Sequence, residues 1–145
     1  MDGNFIDLWC GTWMVAKFCY KYSWKEIIPH WIDSNDKSIY LAKNNNPIHR
    51  NNFEIGNYFD ISTINFSKFS TVISNLSKIN TMERVVDYKN LINHIYTSCV
   101  NANIVVYSPD WFFEQESIFA LVLTKFLIKK FVPVYMYKNF LVIKK

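Results

Sequence analysis

At 145 residues, half of them hydrophobic and 18% aromatic, the chain has the composition of one folded domain and is too short for two ordinary ones. Its formal net charge of +4 reflects 16 basic against 12 acidic residues; only Arg50 and Arg84 are Arg and no run exceeds two lysines, which argues against a dedicated nucleic-acid reader. Three cysteines without C-x-x-C spacing exclude a disulfide framework or zinc ribbon and point to a reducing, cytoplasmic compartment, and no apolar stretch reaches the ~20 residues of a membrane span.

In chain order, "NFIDLWCGT" reads as a first strand that breaks at Gly11 into a helix from Trp13, yet Phe18, Tyr20, Tyr22 and Trp24 alternate as a strand would. Both readings stay open. "SIYLA" from Ser38 reads as a strand, followed by the polar loop "KNNNPIHRNN" with the helix breaker Pro47. In "FSKFSTVISNLSKI" the residues Phe66, Phe69, Val72, Ile73, Leu76 and Ile79 fall on one helical face, with Asn65 as a cap. The spacing of Tyr88, Leu91, Ile92, Ile95 and Cys99 predicts an amphipathic helix with Asp87 at its N-cap.

After it, "ANIVVYS" has the β-branched composition of a strand buried on both faces. A nearly all-apolar helix from about Glu116 to Phe131 is closed by Pro133. "VPVYMY" is the next strand, and "KN" turns it into "FLVIKK" as a hairpin. Helix, buried strand, helix, strand is the rhythm of a single α/β domain with a mostly parallel sheet, because a crossover helix is the short route between parallel strands.

In such sheets ligands bind outside the carboxyl ends of the strands. The segment after "NIVVY" meets that description, carrying Asp110, Trp111, Glu114 and Glu116, and so does the one after "SIYLA", carrying His49 and Arg50. Acidic residues also complement the first turn of any helix, and loop aromatics beside an apolar helix often join the core. His30, His49 and His94 lack metal-ligand spacing, and intact G-x-G-x-x-G, P-loop and nucleophile-elbow motifs are absent, so no metal or cofactor is expected.

The stretches "SIYLA", "VVDYKNLINHIYTSCVNANIVVYSPDWFFEQESIFALVL" and "VPVYMY" resemble the nucleoside 2-deoxyribosyltransferase-like family over about the last 110 residues. The resemblance implies a Rossmann-like fold that binds a nucleoside or nucleotide and cleaves or transfers its N-glycosidic bond. It assigns Glu116 as nucleophile and Asp87 as the second catalytic residue, with Tyr40 and Trp111 at the ligand; Glu114 and Asp110, from the place of their loop after the strand, complete the expected ligand-binding set. "AKNN" stands where that family has Gly-Pro, and an ungapped alignment from Trp111 puts Ala120 in the glutamate's place, which leaves an inactive nucleotide-binding descendant as the other form of this reading.

A different class is an interaction module of a viral or parasite protein, acting in the host cytoplasm. The AT-rich style of the composition and the aromatic residues Trp9, Trp13, Trp24 and Trp31 motivate it, since such side chains dominate interfaces. The partners expected are therefore a small nucleoside or nucleotide, no membrane and no nucleic acid, with a homo-oligomer left open.

Overall fold

The strand β1 (Gly3–Leu8) sits inside a seven-stranded sheet of order β3-β2-β1-β4-β5-β7-β6. The structure, a computed structural model, describes residues 3–8, 27–57, 60–76, 79–108, 117–137 and 140–145. β2 (Ile27–Asp33), β3 (Phe53–Ile55), β4 (Phe69–Asn75) and β5 (Asn103–Tyr107) form a parallel array with β1. β7 (Phe140–Lys144) runs antiparallel to both β5 and β6 (Tyr135–Tyr137). The C-terminal hairpin expected from the sequence is present, but its second strand is inserted between β5 and β6 and does not form the edge.

Alternation along the strands divides the core in two. Ile6, Leu8, Val72, Ile104, Val106, Leu141 and Ile143 are buried on one face, beneath the helices α2 (Met82–Ser98) and α3 (Ile118–Phe131). On the other face Phe5, Trp31 and Phe53 pack with Ile39 and Ala42 of the helix α1 (Asp36–Asn45), and the Trp31 and Phe53 rings stack with centroids 4.1 Å apart. Trp31 is fully buried, so it is a core residue and presents no aromatic surface to a partner; Trp9, Trp13 and Trp24 lie outside the described residues. The two readings of the segment from Trp13 to Trp24 fall outside them as well.

Two elements differ from the sequence expectation, each for a local reason. "SIYLA" is helical: Asn35 Oδ1 accepts the Ser38 N–H at 3.1 Å, Asp36 and Lys43 complement the two ends of the helix dipole, and Ile39 and Ala42 fall one turn apart on the buried side. A five-residue apolar run fits either period, and the cap decides it. The polar loop that follows contains a 3₁₀ helix, Pro47–Asn52.

Conversely, "FSTVISN" is the strand β4. Asn65 caps only the short 3₁₀ turn Phe66–Lys68, after which the β-branched Thr71, Val72 and Ile73 extend. Ser74 occupies an inward position between Val72 and Leu76, and this polar residue breaks the apolar alternation that would have marked a strand. In β2, Pro29 is tolerated because β3 pairs only from Trp31 onward, leaving Pro29 at a local edge; its carbonyl accepts from Asn52 Nδ2 at 2.9 Å.

α2 starts more than a turn before the expected cap. Thr81 is the N-cap, its side chain accepting the Arg84 N–H at 3.2 Å, and Asp87 lies half-buried within the helix. α3 ends at Phe131 as expected from Pro133, with Val132 in the left-handed region at φ 47°. No helix among the described residues is long and apolar enough to cross a membrane.

Two stability measurements follow. Thr81→Ala is expected to lower the unfolding free energy by about 1 kcal/mol, whereas Asp87→Ala changes it by less than about half that, both read from urea denaturation. Val132→Gly, at a site where the valine side chain is exposed, is expected to raise stability by about 0.5–1 kcal/mol by relieving a β-branched residue at positive φ.

Candidate functional site

The strand order reverses at β1: the chain moves outward through β2 to β3, then crosses to β4 on β1's other side. Parallel sheets bind ligands in the crevice outside the carboxyl ends at such a switch point. The residues brought there are Asp7 of β1, Asp33 at the end of β2, Gly56 and Asn57 after β3, and Ser74 and Asn75 at the end of β4.

Asp7 pairs in register with Trp31 and with Ile73, so Asp33 and Asn75 each stand two residues further along the neighbouring strand, on the same face. Asp7 is buried, and its Oδ2 has no hydrogen-bond partner among the described residues; the same is true of Asn75 Oδ1 and Ser74 Oγ. Burial first, and then the neighbouring Asp33 carboxylate, push the Asp7 pKa up to about 7. A carboxyl group held in this way takes up a proton near neutrality or gives it up to an arriving cation.

Asp33 is fixed by its own turn. Its Oδ1 accepts the Asn35 N–H at 2.8 Å, and its carbonyl accepts the Gly56 N–H at 3.0 Å, tying the end of β2 to the end of β3. Gly56 is required for that approach, because a Cβ there would sit 2.9 Å from the Ile32 Cγ2 methyl. Beside it a cavity of about 230 Å³ is lined by Ile32, Glu54, Gly56, Asn57, Asp60 and Thr63.

The site residues expected from the sequence are not drawn together in the described part of the chain. Tyr40 is on α1 and 66% exposed, and Asp87 is on α2; the two helices pack on opposite faces of the sheet. Asp110, Trp111, Glu114 and Glu116 lie outside the described residues. Asp7 and Asp33 were not legible as site residues because no G-x-G-x-x-G follows the first strand. The informative signal was the pairing of a single glycine, Gly11, after the first strand with an acidic residue about 20 positions on that closes the apolar run "IIPHWID".

No family model and no curated protein sequence matches the chain. Solved structures do. TrmN from Thermus thermophilus superposes with a TM-score of 0.71 over 99% of this chain and 44% of its own, at 10% identity. The PH0226 protein from Pyrococcus horikoshii OT3 gives 0.64 over 100% of this chain and 82% of its own, at 14% identity. A structure described as an S-adenosylmethionine-dependent methyltransferase from Mesorhizobium loti gives 0.57 over 74% of this chain and 47% of its own, at 14% identity.

The chain thus has the Rossmann-like fold of these structures, and it spans less than half the length of the first and third. The resemblance to nucleoside 2-deoxyribosyltransferases is corrected accordingly: the strand that was to carry Tyr40 is a helix, and the matching folds include methyltransferases. The N-glycosidic reading, active or inactive, loses its basis. The interaction-module alternative gains no support, Trp31 being core.

The Asp7 pKa fixes the sign of a pH effect. A carboxyl whose folded pKa lies above its unfolded value of 3.8 binds a proton in the folded state between those two pH values, so its contribution to stability falls as pH rises from about 4 to about 7 and is flat beyond. Asp7→Asn is expected to remove this slope, raising Tm more at pH 7.5 than at pH 5; a thermal melt of both proteins across that range measures it.

Proposed function

We propose that the chain binds an S-adenosylmethionine-type ligand at the carboxyl ends of β1, β2 and β3, for methyl transfer to a substrate seated beside the end of β4. The observation that carries this reading is the gathering of carboxyl groups and unpartnered oxygens at the switch point among the described residues: buried Asp7 with an unpartnered Oδ2, Asp33 beside it, and the unpartnered Asn75 Oδ1. Such a set suits a ligand that brings hydroxyl and ammonium donors and positive charge. It repels phosphate.

The residues fit that group part by part. Asp33 stands where an acidic residue at the end of β2 receives the hydroxyls of a ribose in folds of this kind. The cavity beside Gly56 and Asn57 is of a size for one planar heterocycle and offers amide, hydroxyl and carboxylate groups to its edge. Of the three glycines in a dinucleotide fingerprint only Gly11 has a counterpart, with Trp9 two residues before it, and two carboxylates at the crevice oppose the pyrophosphate that such a fingerprint cradles. The mononucleoside-like cation is therefore favoured over a dinucleotide.

S-adenosylmethionine, when bound, would supply a methyl group on a positively charged sulfonium, its carbon open to an acceptor lone pair while the C–S electron pair returns to the departing thioether. The chain's own residues bind and orient. Asp33, held by Asn35 and Gly56, accepts hydroxyl donors without moving. Asp7 loses its proton when a cation arrives, and the resulting carboxylate holds positive charge in the crevice. Asn75, on the face of β4 shared with Asp7, offers an unused side-chain oxygen to an acceptor's N–H or O–H.

Isothermal titration with S-adenosylhomocysteine, NAD and ATP tests the reading. Saturable 1:1 binding of S-adenosylhomocysteine is expected, weakened roughly 10- to 100-fold by Asp33→Ala through the loss of charge-assisted hydrogen bonds. Tighter binding of NAD or ATP, or indifference to Asp33→Ala, would overturn it.

A further inference from the structure

We propose that the outer faces of α2 and α3, with the end of β7, form a docking surface for single-stranded nucleic acid. From residue 117 onward the chain has six lysines and no acidic residue, so the charge that looks modest over 145 residues is concentrated in its last segment. The fold then gathers part of it onto one ridge. Lys89 Nζ lies 4.9 Å from the Phe126 ring centroid, Lys130 Nζ 5.5 Å from Phe126 and 5.7 Å from Phe131, and Lys145 Nζ 4.3 Å from Tyr96. The rings adjoin one another, Tyr96 to Phe131 at 4.9 Å and Phe131 to Phe126 at 6.1 Å.

Cations interleaved with the half-buried Tyr96 and Phe126 rings, which pack about the buried Phe131, are the elements by which proteins hold a single strand: ammonium groups for the phosphates and ring faces for unpaired bases. Lys125 and Lys129 are exposed on α3, and no ion pair neutralises them or the lysines of the ridge among the described residues. The rings lean on the ammonium groups and sit between two helices, so they do not project as a membrane-inserting wedge would. Lysines from α2, α3 and β7 are distant in sequence, which is why scanning for local basic runs argued against nucleic acid.

The surface reaches the opposite end of the sheet from Asp7 and Asp33: Lys145 donates its N–H to the Ala102 carbonyl at 3.0 Å, next to the amino end of β5. The inference stands on this charge and ring geometry and is independent of the ligand read for the crevice.

Fluorescence anisotropy with a labelled 15-nucleotide oligouridylate at 50–200 mM salt tests it. Binding is expected with a log–log salt slope of about −2 to −4, corresponding to three to five phosphate contacts. Lys89→Glu with Lys130→Glu is expected to weaken it at least tenfold; Lys125→Glu with Lys129→Glu, both at exposed positions of α3, serves if the first pair does not fold by circular dichroism. Phe126→Leu is expected to weaken the oligonucleotide severalfold while leaving heparin, which has no bases, unchanged. Absence of binding at 50 mM salt, indifference to the charge reversals, an equal effect of Phe126→Leu on heparin, or tighter binding to vesicles of anionic phospholipid than to oligouridylate would each overturn the proposal.

Discussion

The hydrogen bonding of Gly3–Leu8 to parallel strands on both sides is the constraint from which the rest of the molecule follows. A strand paired on both edges and covered on both faces must bury every side chain it carries, and β1 buries Phe5, Ile6 and Leu8 at little cost. Asp7 is the exception. Its register fixes which neighbours it meets, Asp33 on one side and Asn75 on the other, so the chemistry of the crevice is set by strand pairing before any loop contributes. A carboxyl in that position weakens the fold when ionised, and its burial beside Asp33 raises its pKa accordingly.

How much of this was legible in the sequence varied with the physical cause. β5, α2, α3 and the C-terminal hairpin were legible as elements because their signals are local: β-branched composition, a helical period carried over several turns, and a proline that forbids continuation; the start of α2 was misplaced, and β5 is fully buried on one face only. α1 and β4 were exchanged for the other type. In α1 the deciding group was an Asn outside the apolar run, and in β4 an inward serine disguised the alternation. The insertion of β7 between β5 and β6 is a matter of long-range pairing, for which a single sequence has no local signal.

The site was less legible than the fold. Asp7 and Asp33 each look ordinary in their own segments; they become a pair only when β1 and β2 are laid side by side in register. The residues drawn from the family resemblance were chosen by matching letters around Tyr40, Asp87 and Glu116, and the helix at "SIYLA" removes the strand on which that matching depended. Lys89 and Lys130 show the same limit from another side: they stand by one ring, Phe126, although they lie on different helices.

The place of β7 also bears on the order in which the molecule can assemble. Of the seven strands it leaves the ribosome last, yet it lies between β5 and β6. Until it arrives, β5 offers one unpaired edge and β6 has no partner at all, so an emerging chain passes through an interval in which an apolar strand edge is open to pairing with other chains. Closing that edge falls to "FLVIK", whose alternate side chains Leu141 and Ile143 are both fully buried, and a slip of one residue in this final strand would turn both toward the opposite face.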